Sequence, residues 1–212
     1  MEHLNAVLSG IPMTLLVTAA SFAIGATAAI PLTLLMMSPW RPGRLLARVF
    51  TDIIRGLPPV VWLFIIYFGV SIGGFQFDAV SAAIMGLGVV SAAYLAEIYR
   101  SGVLSLHEGQ WEAAAAMGVG RLDTVARVVA PQAIRVAVPA ATGYAISLLK
   151  DSAVASTIGV TGIAYMATQD ARSNAGGLPV YLFAAALYVL LAVPVAVAAR
   201  LAGNAMQRKV SR

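Results

Sequence analysis

Residues 7–37 are almost unbroken apolar sequence, and at about 1.5 Å per helical residue they exceed a hydrocarbon core of about 30 Å. Such a segment must tilt, kink or protrude, and Pro31 offers a kink. Ser9, Thr14, Thr18, Ser21 and Thr27 within it can bond backbone carbonyls where no water is available. The breaker cluster Ser38-Pro-Trp-Arg-Pro-Gly-Arg44 ends this block. Leu45, Leu46, Val49, Phe50, Ile53 and Ile54 then recur at helical spacing opposite Arg44, Arg48, Thr51, Asp52 and Arg55, which predicts a short amphipathic helix lying at a membrane surface. Pro58 and Pro59 restart the chain, and further apolar runs cover 60–73, 79–96, 133–149 and 181–201. Residues 151–167 are apolar but broken by Gly159 and Gly162 and rich in Ser and Thr, and they predict a short helix packed on the others rather than a span.

Composition agrees with this pattern. The chain is 60% hydrophobic and 11% charged over 212 residues, with a mean hydropathy of +0.86, against roughly 25% charged in soluble domains. The expected fold is an all-α, polytopic transmembrane bundle of about five spans. One membrane domain, residues 1–212, fills the length, with an amphipathic connection at 39–57 and a polar region at 105–131. No room is left for a separate soluble enzyme, so energy must come from another subunit or an ion gradient. The absence of cysteine excludes disulfides, thiolate metal sites and thiol nucleophiles. The first apolar block is far longer than a signal peptide's core and reads as a retained span.

The net charge of +5 does not form a nucleic-acid-binding stripe. Arg41, Arg44, Arg48 and Arg55 fall in the first connection; Arg100, Arg121, Arg127 and Arg135 follow the third span; Arg200, Arg208, Lys209 and Arg212 lie at or beyond the end of the fifth. The second-to-third connection has no Lys or Arg, and the fourth-to-fifth region has only Lys150 and Arg172. The positive-inside rule then places the N-terminus outside, the C-terminus in the cytoplasm, and both 39–57 and 105–131 on the cytoplasmic side.

Within 105–131, Ser105-Leu-His-Glu108 matches a capping box, predicting a helix that starts there and continues through the alanines after Glu112. Gly118 and Gly120 offer its end, and 123–129 predicts a second short helix stopped by Pro131. A solvated helix joining two spans satisfies this spacing as well as one that docks into a partner's groove, where small side chains permit close approach.

Glu112-Ala113-Ala114, three residues, Gly118, nine residues and then Val128-Val129-Ala130-Pro131 resembles the EAA motif of bacterial ABC importer permeases, with Val128 and Ala130 in place of isoleucine and leucine. Ala93-Tyr-Leu-Ala-Glu-Ile-Tyr-Arg-Ser-Gly102, Pro131-Gln-Ala-Ile-Arg135, Ile146-Ser-Leu-Leu-Lys-Asp-Ser152, Arg55-Gly-Leu-Pro58 and Leu63-Phe-Ile-Ile-Tyr-Phe-Gly69 are similar to the polar amino-acid (His/Gln/Arg/opine) branch. The resemblance covers nearly the whole chain. It implies a MetI-like type I permease in the bacterial cytoplasmic membrane, paired with an identical or homologous second permease subunit. Two ATPase subunits would lie beneath, and a solute-binding protein would deliver cargo from outside. ATP and Mg would be bound by the ATPase partner, and none by this chain, which has no GxxxxGK[ST] motif. Glu108, Trp111, Glu112, Ala113, Ala114, Met117, Gly118 and Arg121 would make the ATPase-coupling segment.

Lys150 and Asp151 sit between apolar stretches, where a charge costs at least about 2.5 kcal/mol. They either pair at the outer interface or help orient a zwitterionic solute, and with Tyr94 and Glu97 they form the candidate substrate path. Glu97 and Arg100 have the spacing of an ion pair. His3 and His107 are too distant to hold a metal, and His107 is better explained as part of the helix cap. Gly86 and Gly88, with Ala82, Ala83, Ala92 and Ala93, make a face for close helix contact. Similar permeases carry amides where this chain has Val89-Val90-Ser91 and Gly143-Tyr144, a departure that implies a different solute or a subunit that holds none. The rival classes are an ion-gradient secondary transporter, which would need an inverted repeat that the halves do not present, and an intramembrane enzyme, for which no nucleophile or metal cluster is evident.

Overall fold

A computed structural model describes residues 2–72, 75–173 and 177–208. Gly73, which ends the second run, Gly74 after it, and the basic residues Lys209 and Arg212 lie outside the described residues, as do the side chains of His3, Arg200 and Arg208.

The first apolar block is two helices, α1 (Glu2–Leu8) and α2 (Ile11–Met36), rather than one. Its break falls at Ser9-Gly10 for a tertiary reason: a Cβ on Gly10 would come within 2.5 Å of the Gly162 and Ile163 backbone. Pro31 lies inside α2 without ending it. The buried stripe of α2 is Thr14, Val17, Ser21, Gly25, Ala29, Thr33 and Met36, while Leu15, Leu16, Ile30 and Leu34 face outward. Lipid solvates leucine as well as a protein interior does, so close packing and hydrogen bonding select the inner face.

That stripe meets α5 (Ala79–Leu104). Ser21 Oγ donates to the Ile84 carbonyl at 3.2 Å and Thr33 Oγ1 to the Ala96 carbonyl at 3.1 Å, so the two helices run parallel. At their closest approach a Cβ on Gly25 would lie 2.3 Å from the Ser91 Cβ. The small-residue face expected on α5 is buried as a unit: Ala82, Ala83, Gly86, Gly88, Ala92 and Ala93 are all inside. Asp78 caps its start, the carboxylate accepting from the Val80 and Ser81 amides at 3.1 and 3.3 Å.

Between α2 and α5 the chain forms α3 (Arg41–Gly56) and α4 (Pro59–Phe64), the latter running on through a π turn at Ile65–Gly69. The two are bent by 102° across Leu57-Pro58, and Trp62 Nε1 ties the bend by donating to the Ile54 carbonyl at 3.1 Å. The amphipathic helix expected here is present. Gly43, Ala47, Thr51 and Ile54 pack on the bundle, whereas Leu45, Leu46, Val49, Phe50 and Ile53 remain exposed. The connection to α5 holds a small antiparallel ladder, β1 (Ser71–Ile72) with β2 (Phe75–Gln76).

After α5 come α6 (Gly109–Ala116), the single turn α7 (Arg121–Asp123), a π turn at Thr124–Val129 and α8 (Ala130–Asp151). Pro131 does not stop a helix, as expected above, but lies in the first turn of α8. There the missing amide is no loss, and the widened turn before it relaxes the backbone. A 3₁₀ stretch (Ser152–Ile158), α9 (Ile163–Ser173) and α10 (Gly177–Arg208) complete the chain. Val180, Ala184 and Leu187 of α10 pack with Val7, Ile163 and Ala167, and α10 then runs back along α8.

By length and apolarity, Asn5–Met36, Ala79–Leu104 and Gly177–Ala198 are each able to cross a membrane, and the bent α3–α4 pair adds a broken fourth passage. Helix α8, which carries Arg135, Lys150 and Asp151, runs antiparallel to α5 along the same seam but does not reach that apolarity, so three to four passages meet the criterion where about five were expected. The result is the polytopic helical bundle expected from sequence. One end carries α1, the β ladder and α9; the other carries α3, α6, α7 and the end of α10.

Candidate functional site

The polar segment between α5 and α8 is built differently at its start from the capping box expected. Ser105 ends α5, its hydroxyl donating back to the Gly102 carbonyl at 2.9 Å, and Glu108 precedes α6 with no side-chain cap bond. His107 supplies the cap contact, Nδ1 accepting from the Gly109 amide at 3.1 Å. Helix α6 therefore starts at Gly109, one turn later than the serine would have set it.

The other end is a Schellman motif. The Val119 amide donates to the Ala114 carbonyl and the Gly118 amide to the Ala115 carbonyl, both at 3.0 Å. Gly118 has φ +71°, which a side chain adopts at a cost of about 1–2 kcal/mol. The chain then reverses into α7, where Thr124 Oγ1 donates to the Gly120 carbonyl at 3.1 Å.

Seating on the bundle is light. Ala114 is 1% exposed and forms the inward contact, and Gln132 on α8 donates to Gln110 Oε1 at 3.2 Å. Everything else of note points away: Glu108, Glu112, Ala113, Gly118 and Arg121 are exposed, Trp111 is half-buried, and Met117 and Leu122 are 73% and 87% exposed. The one ion pair described here, Arg127 with Asp123 at 3.1 Å, is solvent-exposed and contributes less than about 1 kcal/mol. Of the eight residues of the candidate coupling segment, Ala114 anchors it and Trp111 is partly covered; the other six form an outward surface with an apolar rim.

The four substrate-path residues are not one cluster. Glu97 lies toward the α6 end of α5, where both its carboxylate oxygens accept from Arg100, one of them at 3.0 Å from Nε. Lys150, exposed, and Asp151, half-buried, close α8 at the opposite end and form no ion pair with each other. Tyr94 lies between, half-buried against Tyr144, the rings stacked at 5.2 Å and 16°, with the Arg55 guanidinium 5.2 Å from the Tyr94 centroid. Tyr144 donates to Ser91 Oγ at 3.0 Å. Ser91 and Tyr144 lie in the two stretches that the sequence marks as departures from similar permeases, whereas the approach of Arg55 to Tyr94 had no signal in the sequence.

Three comparisons bear on this geometry. The family model described as "binding-protein-dependent transport system inner membrane component" matches residues 21–211. The arginine transport system permease protein of Bacillus subtilis is 34% identical over 96% of this chain and 92% of its own length. The octopine transport system permease protein of Rhizobium radiobacter is 37% identical over 88% of this chain and 80% of its own. Among solved structures, an amino acid ABC transporter crystallised with histidines aligns with a TM-score of 0.88 at 31% identity, covering 94% of each chain. A methionine ABC transporter in an inward-facing conformation gives 0.80 at 26% identity, over 94% of this chain and 95% of that one.

Proposed function

The chain belongs to the family of binding-protein-dependent transport system inner membrane components, and from that premise we propose that it carries a polar amino acid or a close relative inward, driven by an ATPase subunit docked on α6. The observation that carries this reading is the build of α6. A short helix of small residues is pinned by Ala114 and stopped by Gly118, with Glu112, Ala113 and Met117 turned outward. A helix held so lightly, between the ends of α5 and α8, transmits displacement into two spans at once when a partner moves it, a rigid-body route to alternating access. Helices α3 and α6 then lie on the cytoplasmic side with the C-terminus, and α1 and α9 face the solute-binding protein. This assignment follows the arginines of both connections. A second permease subunit completes the path, and ATP with Mg belongs to the ATPase. The relatives' named solutes, arginine and octopine, support a polar amino-acid class for this chain.

The test uses the absence of cysteine. Met117→Cys introduces a single thiol, and in the assembled transporter it is expected to cross-link to a cysteine placed in the ATPase cleft. Cross-linking to the solute-binding protein instead, or to neither, contradicts the assignment.

A further inference from the structure

Where the end of α2, the start of α3 and the end of α5 meet, a cleft of about 200 Å³ opens at the same end of the bundle as α6. Met36, Met37 and Leu104 form its apolar wall, and Arg44, Arg48 and Arg100 its basic one. Arg100 is engaged by Glu97. Among the described residues Arg44 and Arg48 pair with no carboxylate, and Asp52 acts on Arg100 through space without an ion pair. Glu97 also acts on Arg48 through space, so among the described residues the cleft presents two guanidinium groups that no carboxylate bonds directly, and their forked donors suit the oxygens of a phosphate.

The same helix supplies an apolar surface. Leu45, Leu46 and Phe50 of α3 are 63%, 67% and 49% exposed, next in the helix to the arginines. A free anion would use the guanidinium groups alone. A phospholipid would use both surfaces, its headgroup in the cleft and its chains along the helix, as basic pockets between membrane helices do. We propose that this cleft binds the headgroup of an anionic phospholipid, with the acyl chains lying along the exposed face of α3. The inference stands apart from the docking of an ATPase on α6.

The experiment is native mass spectrometry of the full chain, extracted from vesicles of phosphatidylethanolamine and phosphatidylglycerol. Wild type is expected to retain phosphatidylglycerol in preference, and Arg44→Gln and Arg48→Gln each to lower retention about fivefold. Arg127→Gln, exposed at the same end outside the cleft, leaves it unchanged. Added inorganic phosphate does not displace the lipid. Should an arginine variant not fold, Leu104→Trp, which fills the cleft and keeps every charge, has to lower retention as well. Equal retention by wild type and the cleft variants overturns the proposal. So does displacement by phosphate alone, which makes the cleft a free-anion site, or loss of a co-purifying protein partner with lipid retention unchanged.

Discussion

The hydroxyl of Tyr144 on α8 donates to Ser91 Oγ on α5 at 3.0 Å, joining two stretches that lie 53 residues apart in the sequence. A buried hydroxyl pair thus occupies the α5–α8 seam, with the Tyr94 ring stacked on Tyr144. Removing either partner is expected to cost about 1–3 kcal/mol, since the other is left buried without its bond. Tyr144→Phe with Ser91→Ala should cost less than the sum of the single changes by at least about 0.5 kcal/mol. A double-mutant cycle of unfolding free energies in detergent measures this, and strict additivity rules out the coupling.

Two glycines are expected to fail for different reasons. At Gly25 an added Cβ meets the Ser91 Cβ at 2.3 Å, so Gly25→Ala forces α2 from α5 and costs about 1–3 kcal/mol of global stability. At Gly118 nothing lies within 4 Å, but φ is +71°. Gly118→Ala should therefore leave the melting temperature of the bundle nearly unchanged and loosen α6 alone. Hydrogen exchange of the α6 amides distinguishes the two.

These positions also mark what the sequence made legible. The apolar runs located the three helices able to cross a membrane, because a lipid-facing helix must be apolar throughout, and the alanines and glycines of α5 announced a close-packed face. Periodicity found α3 and its apolar face, but gave no sign of which residues the bundle would take, which are Gly43, Ala47, Thr51 and Ile54. In a bilayer, apolarity does not point inward. The break at Gly10 was hidden for a related reason, since its cause lies some 150 residues away at Gly162-Ile163. In the candidate coupling segment, the helix from Glu112 to its stop at Gly118 was readable from residue types and spacing, whereas the late start of α6 depended on whether Ser105 bonded forward or back.

The cap at Asp78 gives a pH-dependent contribution. The carboxylate is held below its usual range, chiefly by Ser81 through its side chain and amide and then by the Val80 amide. A depressed folded value means that the stabilisation is present above the unfolded value of 3.8 and is lost as pH falls through the lower folded one. Wild type should unfold at a higher temperature than Asp78→Ala at neutral pH, and the gap should close below about pH 4. A gap independent of pH contradicts the assignment.

Whether α6 receives work done by an ATPase neighbour is best decided by measuring solute uptake and ATP hydrolysis in the same vesicles. These would hold the ATPase, the loaded solute-binding protein and either wild type or Glu112→Lys. Glu112 is exposed and makes no contact that holds the bundle, so the variant should fold and insert normally. With Glu112→Lys, uptake is expected to fall to background and hydrolysis no longer to rise with loaded binding protein. Uptake and stimulation equal to wild type would contradict that role of α6.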